Sequence, residues 1–585
     1  MIRTSLIGLI AVLGMVTLSK AQEADTKLEA FFRDHLEEVF RMRPLEATFL
    51  GDHRFDHLLD DISTQARGNW LSQSRRRLDA LAKDVPFAEL SNDGKVSYGI
   101  LREELSRSIW LTENTHPFEQ DPRTYGAYIS DSVYSLLTQS TLPKEKNISN
   151  AIARMAEIPR ITLVAKETLK APPRSVLDTA VLQNRGAIHS YEQEIFNLAG
   201  DTPQLESLTK AAKRVVESLR EYQQFLEVDL LPRATGEWRL GREKFSRKLE
   251  LVLDAGMTAE QVLREAEAEL LRVQRDMYVV ARQLWSRHFQ NKPLPPDDAA
   301  GRHFTIAEVI RAVSEDHGPP ELLIADARSS VGRIKEFIRK HDILRLPEPD
   351  RCLILEMPEF RRGNSAAYLD PALPLDPLGS STYAVSPPPA DWSAARIRSF
   401  LEEYNRHMLQ VLTIHEAYPG HYVQLEYSNC SKSLIRRTLQ SGVFTEGWAV
   451  YTEQMMLDQG YGDGDLALRL NQLKFYLRTV ANAVLDHKMH CTEMTDAEAL
   501  RFLTQDAYQS EGEARLKIIR SKQSSVQLST YFVGRTAFYR LRQQVQRELG
   551  EAFELGRYHE AVLDHGSVPV KYLPELVRAR LKLPR

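Results

Sequence analysis

The chain has 585 residues, of which 43% are hydrophobic and 27% are charged, a composition typical of a globular protein. A chain of this length can form one very large core or several ordinary domains. Its formal net charge of −4 excludes the strongly basic surface that binds nucleic acid or an anionic membrane. We therefore expect no nucleic-acid partner and no membrane partner for the mature protein.

The first 21 residues have the layout of a secretory signal peptide. Arg3 precedes an uncharged apolar run from Leu6 to Leu18, and Ser19-Lys20-Ala21 supplies small residues for a cleavage site. The run is shorter than the roughly 20 residues that span a bilayer. No cysteine lies near the cleavage point, so a lipid anchor is not expected. We predict an exported protein, periplasmic or secreted, whose mature chain begins near Gln22.

A helical body is predicted for the N-terminal half, residues 22–345. From Leu28 to about Lys340, apolar residues recur at intervals of three and four, the period of a helix with one buried face. Thr258 and Gln261 form a capping-box pattern at the start of one such helix. The predicted breaks fall at prolines 172–173, 232, 293–296 and 319–320.

The C-terminal half, residues 346–585, begins with a different pattern. Residues 351–357 are short, apolar and bounded by prolines, which predicts a strand, with a possible partner strand at Ser381–Val385. The intervening stretch from Gly363 is rich in glycine, proline and serine, and helical periodicity then resumes, with one helix expected from Arg396 to Glu416. We predict a mainly α protein with one small β-hairpin or edge strand, its two halves packed as one large unit.

The sequence HEAYPGH, from His415 to His421, differs from the zinc-peptidase motif H-E-x-x-H, in which the histidines are four residues apart. Six residues turn a regular helix through about 600°, which would separate these two histidines. Pro419 lacks the N–H that a continuing helix needs, and Gly420 permits the backbone angles of a restart. A break there would bring the histidines together on one metal ion; otherwise they flank a kinked helix end.

A shared metal ion would need a third protein ligand, and the next helical segment offers two carboxylates. Glu446 lies 25 residues beyond His421, and Glu453 follows seven residues later on the same helical face. Either glutamate can point toward the histidines. The other would then support a ligand or form an ion pair.

HEAYPGHYVQ together with FTEGWAVYTEQMM resembles the bacterial family catalogued as domain of unknown function 885. RPLEATFLGDHRFDHLLDD, LRTVANAVLDHKMH, YFVGRTAFYRLR and RYHEAVLDHGSVPV extend the resemblance over most of the mature chain. Members of this family resemble helical gluzincin zinc peptidases, the group of angiotensin-converting enzyme and the thimet-type oligopeptidases. The resemblance implies a large helical metallopeptidase-like fold with a deep cleft.

The resemblance also implies roles for particular residues. His415, His421 and Glu446 would bind one Zn²⁺ per chain, and Glu416 would be the general base for a metal-activated water. The other implied roles are oxyanion stabilisation by Tyr539, His559 or His490, with Tyr531 behind them, positioning of a substrate by Arg478 or Asp486, and pairing of the peptide backbone with an edge strand at Leu353 and Leu355.

The predicted function is therefore an exported zinc peptidase that hydrolyses short peptides. Two alternatives remain open on the sequence: a metallohydrolase of another amide or ester, and an inactive binding protein on the same scaffold. Tyr531 and Tyr539 also fit an aromatic core, and Arg478 and Asp486 also fit a structural ion pair. The sequence indicates neither the oligomeric state nor the preferred side chains of a substrate, and it does not distinguish zinc from manganese, cobalt or iron.

Overall fold

The structure, a computed structural model, describes residues 2–357, 367–389 and 392–583, and it describes side chains from Lys20 onward. The protein is mainly helical, as predicted, with one small sheet. The side chains of the predicted apolar signal segment, Leu6 to Leu18, lie outside the described part.

The helices before the sheet are α1 (Ile2–Met42), α2 (Pro44–Leu50), α3 (Thr64–Asp84), α4 (Asn92–Asn114), α5 (Pro117–Gln120), α6 (Ser132–Thr138), α7 (Lys144–Thr168), α8 (Arg174–His189), α9 (Ile195–Ala199), α10 (Leu205–Gln224), α11 (Arg242–Leu253), α12 (Ala259–His288), α13 (Ala299–Ser314) and α14 (Leu323–Lys340). The strands are β1 (Cys352–Glu356), β2 (Ala367–Asp370) and β3 (Ser381–Val385).

The helices after the sheet are α15 (Ala394–Glu403), α16 (Arg406–Glu416), α17 (His421–Asn429), α18 (Leu434–Thr438), α19 (Gly442–Asp458), α20 (Leu466–Cys491), α21 (Asp496–Arg501), α22 (Glu511–Gln523), α23 (Thr530–Leu549), α24 (Leu555–Leu563) and α25 (Leu573–Leu581). Short π-helical segments occur at Ala127–Asp131, Ser190–Glu194, Phe225–Leu230 and Phe502–Asp506. Short 3₁₀ segments occur at His53–Phe55, Phe87–Glu89, Pro122–Tyr125, Leu231–Arg233, Pro320–Leu322, Gln527–Ser529, Gly550–Ala552 and Val570–Tyr572.

The chain divides into two compact units by its contacts. Unit 1 comprises Met1–Glu237, Leu373–Gly379 and Asn429–Leu439, and unit 2 comprises Trp238–Ala372, Ser380–Ser428 and Gln440–Arg585. The predicted halves, 22–345 and 346–585, stay a prediction.

Unit 1 is built on the apolar faces of its helices, α7 and α10 among them. Ile158 of α7 and Leu219 of α10 are completely buried in the same cluster. Arg154 of α7 is also buried, and its guanidinium donates hydrogen bonds to the carbonyl oxygens of Leu58 and Ser132 at 2.9 and 2.7 Å. A buried cation needs such acceptors, because without them its desolvation would be unfavourable.

Several local predictions for the helical body are confirmed. The Thr258 hydroxyl accepts a hydrogen bond from the Gln261 N–H, and the Gln261 side chain accepts one from the Thr258 N–H, which completes the predicted capping box of α12. The predicted proline breaks fall between α7 and α8, after α10, between α12 and α13, and before α14. Within the described residues, no helix has both the length and the apolar character needed to span a bilayer.

The pairing of the two predicted strands as a hairpin is wrong, although both strands exist and β1 is an edge strand, the other predicted arrangement. β1 pairs with β3 in parallel, with Cys352 opposite Ser381, whereas β2 pairs with β3 antiparallel, with Ala367 opposite Val385. The strand order is β1-β3-β2. A hairpin requires two consecutive antiparallel strands, and here β2 lies between the two predicted strands in the chain. The apolar pattern of each strand is the same for either direction, so it could not reveal the parallel pairing.

The single helix predicted from Arg396 to Glu416 is also wrong, because the chain breaks between α15 and α16. The Asn405 side-chain oxygen accepts hydrogen bonds from the N–H groups of His407 and Met408, both at 3.1 Å. Its amide group donates to Asn471 of α20 at 3.1 Å. Asparagine is strongly favoured at a helix N-cap, and this cap starts α16 afresh, which sets the direction in which its last residues point.

Two helices of unit 2 meet through a pair of glycines. A Cβ added to Gly447 of α19 would lie 2.4 Å from the Gly534 backbone of α23, and a Cβ added to Gly534 would lie 2.1 Å from the Val443 carbonyl oxygen. The two backbones are therefore in direct contact. α20 packs beside them and is buried on nearly every side, so α19 is held by the centre of unit 2.

We expect Gly447→Ala to lower the free energy of unfolding by about 1–3 kcal/mol, because the added methyl group forces two backbones apart. Gly442→Ala is a matched control in the same helix, since a Cβ there meets nothing within 4 Å. Urea denaturation of both variants beside the parent protein measures the difference. Equal stability of the two variants would show that the helix contact tolerates a methyl group.

Candidate metal centre

The HEAYPGH segment ends one helix and begins another. α16 ends with His415 and Glu416, and α17 begins at His421, so the predicted break at the Pro-Gly pair is confirmed. The Gly420 N–H donates a hydrogen bond to the Ile414 carbonyl at 3.0 Å, which folds the chain back onto the end of α16. As a result the imidazole rings of the two histidines lie nearly perpendicular, with their centroids 4.7 Å apart.

Gly420 is required by close backbone contact. A Cβ at this position would lie 1.9 Å from the His415 carbonyl oxygen and 2.3 Å from that of Ile414. The φ angle of Gly420 lies outside the left-handed region. Glycine is therefore needed here for lack of space, and not for the unusual backbone angles that the sequence suggested. The Trp448 indole N–H donates to the Pro419 carbonyl at 2.8 Å, which fastens this turn to α19.

Three side chains converge at this turn. The Glu446 Oε2 atom of α19 lies 3.4 Å from His421 Nε2 and 3.8 Å from His415 Nε2. All three potential ligand atoms lie within 4.8 Å of one another, and among the described residues this is the one group of three or more ligating side chains found so close. Zinc bonds of about 2.0–2.1 Å to nitrogen and oxygen place tetrahedral ligand atoms about 3.3 Å apart, so the donor set fits a zinc ion.

Glu453 lies behind this group rather than in it. Its Oε1 atom is 2.7 Å from His415 Nδ1, and its side chain is completely buried. The hydrogen bond holds the His415 ring with Nε2 toward Glu446. When Nδ1 carries the hydrogen and donates to Glu453, the Nε2 lone pair is available to a metal ion. The two carboxylates that the sequence left open thus have different positions: Glu446 beside both histidines and Glu453 beside one.

Burial governs the ionisation of these groups. It lowers the pKa of His415 to about 3, so this imidazole is neutral at pH 7, the form that binds a metal. Burial also raises the pKa of Glu416 to about 7, although the nearby charge of His421 acts to lower it. Burial opposes ionisation of Glu446 too, but the hydrogen bond and charge of His421 hold its pKa below the ordinary value. The group therefore contains a neutral histidine, an ionised carboxylate and a carboxyl group suited to proton transfer near neutrality.

A cavity of about 160 Å³ opens onto this group within unit 2. His415 and Glu416 form one part of its wall. The rest of the wall is supplied by β2, the residue that follows α15, α16, α20, α22 and α23, through Ala367, Tyr404, Leu412, Phe475, Arg478, Thr479, Asn482, Lys517, Arg520 and Tyr531.

Of the residues given substrate roles by the sequence, Arg478 and Tyr531 line this cavity. Arg478 forms an ion pair with Glu513 at 3.1 Å. Asp486, by contrast, accepts hydrogen bonds from the N–H groups of Val526 and Ser529 at 3.0 and 3.1 Å, so it is not the ion-pair partner of Arg478.

The structure places the other three oxyanion candidates outside the cavity lining. His490 lies within hydrogen-bonding distance of the Ser521 carbonyl at 2.9 Å, and its ring stacks on Phe245. The two ring nitrogens of His559 lie 2.7 Å from the Tyr451 hydroxyl and 2.8 Å from the Ile343 carbonyl. The ring of Tyr539 packs edge-on against that of Tyr451, with its centroid 5.0 Å away. His490 and His559 are buried in the core, and Tyr539 is half-buried beside Tyr451.

Residues 44–577 match the profile of a family described as bacterial protein of unknown function, DUF885. The chain belongs to this family. No curated protein matches the DUF885 chain.

Two solved structures resemble this DUF885 chain over nearly its whole length. One is a candidate lipoprotein of unknown function from Shewanella oneidensis, 28% identical, with a TM-score of 0.80, covering 93% of this chain and 98% of its own. The other is a candidate lipoprotein from Colwellia psychrerythraea, 18% identical, with a TM-score of 0.77, covering 96% of this chain and 99% of its own. The second likeness shows the fold alone.

The strand beside the candidate metal centre of this DUF885 chain is β2, which the sequence did not predict. Leu353 and Leu355 lie on β1 at the opposite edge of the sheet, 48% and 44% exposed. On β2, Ala367 lines the cavity, and a backbone hydrogen bond from Leu369 reaches Glu416. The short apolar run before Asp370-Pro371 was the available signal, but the surrounding loop composition obscured it.

Lys517 and Arg520 are also cavity residues that the sequence did not single out. They are three residues apart on α22, so they share a helical face. This spacing was visible in the sequence. Charged residues at such spacing usually face solvent, however, and no pattern in the chain links α22 to the HEAYPGH turn.

We expect Glu453→Gln to weaken zinc binding about 10–100-fold, because the amide replaces the carboxyl group that orients His415 while keeping its size. Glu426→Gln is the matched control, since Glu426 of α17 accepts a hydrogen bond from Ser381 at 3.4 Å instead. Competition with a chromophoric chelator measures both affinities. An unchanged affinity in Glu453→Gln would mean that Glu453 only fills space.

Proposed function

We propose that this protein is an exported, zinc-dependent peptidase that hydrolyses short peptides. The observation that supports the proposal is the convergence of His415, His421 and Glu446 on one point, with Glu416 beside them and Glu453 holding one histidine. Two imidazoles and a carboxylate are the protein ligands of catalytic zinc sites that leave a position for water. Manganese, cobalt and iron accept the same donors, so the identity of the metal is part of the test.

A bound zinc ion would polarise a water molecule and the carbonyl group of the scissile bond. Glu416 would accept the proton of the attacking water and pass it to the leaving amine. The pKa of Glu416, raised by burial to about 7, suits both the acceptance and the return of a proton. Of the oxyanion candidates that the sequence suggested, Tyr531 lines the same cavity, so its phenolic O–H would donate to a developing oxyanion.

The order of the groups along the chain adds support. A His-Glu pair ends one helix, the second histidine begins the next, and the glutamate follows on a later helix, α19. This order resembles the one in gluzincin peptidases. The turn at Gly420 would allow histidines six residues apart to lie as close together as the histidines four residues apart in H-E-x-x-H. The proposed relation to that group rests on this likeness.

Export is proposed from two observations. Residues 1–21 have the charge and apolar pattern of a signal peptide, and both similar solved structures are described as candidate lipoproteins. Lipoproteins reside in the cell envelope. We therefore propose the periplasm or the exterior of the cell as the site of action.

Metal analysis tests the ligand set. We expect about one zinc ion per chain in the purified mature protein, and loss of that ion in His415→Ala, His421→Ala and Glu446→Ala. His407→Ala is the matched control on α16, where its ring pairs with Asp316 and Asp465. Mass spectrometry of the intact protein and elemental analysis give the stoichiometry. Metal retained after loss of His421 or Glu446 would disprove this ligand set.

Turnover tests the reaction. We expect Glu416→Gln to retain the metal ion but to lower kcat/KM for short peptides about 10²–10⁴-fold, because general-base catalysis is lost. A library of short peptides, with amide and ester compounds in parallel, is followed by mass spectrometry. Hydrolysis confined to the non-peptide compounds would assign a different metallohydrolase. Binding without hydrolysis of any compound would assign a binding protein.

A further inference from the structure

The wall of the cavity beyond the metal centre carries positive charge. Arg478 of α20 and Lys517 and Arg520 of α22 all line the cavity that His415 and Glu416 border. Their charges act across it: that of Arg478 adds to the effect of burial and of His421 in lowering the pKa of His415.

Among the described residues these three cations form one ion pair, although the charges of Glu403, Glu446 and Glu513 also act on them. Arg478 has one carboxylate partner, Glu513, at 3.1 Å. The Arg520 guanidinium donates to the neutral Gln527 side chain at 2.8 Å. The Lys517 ammonium has no hydrogen bond or ion pair within the described ranges, although only 5% of the residue is exposed.

Burial of a lysine is unfavourable because its ammonium group loses hydration, and here only the charge of Glu513 opposes that cost. Burial lowers the pKa of Lys517 well below its usual range, and the neighbouring charges of Arg478 and Arg520 add to this. Replacement by an apolar residue would relieve the cost. An anion in the cavity would relieve it as well, by supplying the missing partner.

We propose that Lys517 and Arg520, with Arg478, form a subsite that binds a carboxylate of the peptide substrate. This inference rests on the proposed peptidase function and adds a substrate class to it: peptides that present a negative charge a short distance from the scissile bond. A free C-terminus and an acidic side chain both supply that carboxylate. If the C-terminal carboxylate is the one bound, the enzyme removes residues from the C-terminal end.

Binding is measured on Glu416→Gln, in which turnover is expected to be slowed about 10²–10⁴-fold. The probes are N-acetyl-Ala-Phe-Ala-Ala with a free C-terminus, the same peptide amidated, and an amidated N-acetyl-Ala-Phe-Ala-Glu, all followed by calorimetry. We expect the free acid to bind at least tenfold more tightly than its amide, and Lys517→Met to abolish that difference. If the glutamate peptide regains the lost affinity, the bound carboxylate can be a side chain.

Two further variants separate a lost subsite from a damaged protein. Lys522→Met makes the same change on the same helix, where the lysine pairs with Asp496 at 2.6 Å, and is expected to keep the full preference. Arg520→Gln changes an exposed member of the subsite and is expected to weaken the preference without affecting folding. Zinc content and circular dichroism confirm that Lys517→Met is folded.

The outcomes distinguish this inference from the function on which it rests. Equal affinity for acid and amide peptides, or a preference that survives both Lys517→Met and Arg520→Gln, overturns the subsite. Hydrolysis of acid and amide peptides at the same rate by the parent protein would leave the peptidase function standing while overturning the subsite. A Lys517-dependent preference for the acid without hydrolysis by the parent would support the subsite and overturn the peptidase function. No binding of any peptide overturns both.

Discussion

The candidate site depends on one backbone contact, the packing of Gly420 against the carbonyl groups of Ile414 and His415. There is no room for a side chain at this contact, since a Cβ would lie 1.9 Å from the His415 oxygen. Because the chain can fold back so tightly, α17 starts within reach of the end of α16. The two histidines then face each other, although on a continuous helix they would diverge. A second glycine contact, Gly447 against Gly534, fixes the helix that brings Glu446 to them.

Electrostatics within the site follow from how these helices enclose it. The carboxylates of Glu416, Glu446 and Glu453 gather around the histidines, whereas the cations of α20 and α22 line the cavity beyond them. The electric field in the cavity therefore points from the cations toward the carboxylates around the histidines. A peptide has a polarised amide bond and a negative charge at its C-terminal end. The histidine end of the cavity suits the amide bond, and the cations suit the charge. A peptide bound with its amide bond at the histidines and its carboxylate at the cations would contact one continuous cavity wall.

The sequence was sufficient where local chemistry decides the structure. The Thr258 capping box, the proline breaks and the meeting of His415 with His421 could all be predicted, because each depends on a few neighbouring residues. Both Glu446 and Glu453 lie on one helical face, so the sequence pattern did not show which of them is the metal ligand. Glu446 was chosen only because of the family resemblance. The structure supports that choice for a reason absent from the sequence: α19 turns Glu453 toward His415 Nδ1, 2.7 Å away, and Glu446 toward both Nε2 atoms.

What the sequence could not predict depends on contacts between distant segments. The parallel pairing of β1 and β3, the position of β2 beside Glu416, and the arrival of Lys517 at the cavity all join residues far apart in the chain. For His490 and His559, the position in a motif suggested chemistry, whereas the structure places their ring nitrogens near backbone carbonyls or a tyrosine hydroxyl in the core. A histidine near a recognisable motif does not reveal which way its ring points.

Buried ionisable groups give the strongest physical reason to regard this region as functional. Glu453 is fully buried and only one of its two carboxylate oxygens has a partner among the described residues, while Lys517 is 5% exposed and has none there. Well-packed apolar side chains of similar size would usually stabilise such positions. Stability alone therefore does not account for a glutamate behind His415 or a lysine in the cavity wall. Both are accounted for if the surrounding groups bind ions: a cation at the histidines, and an anion at the far wall.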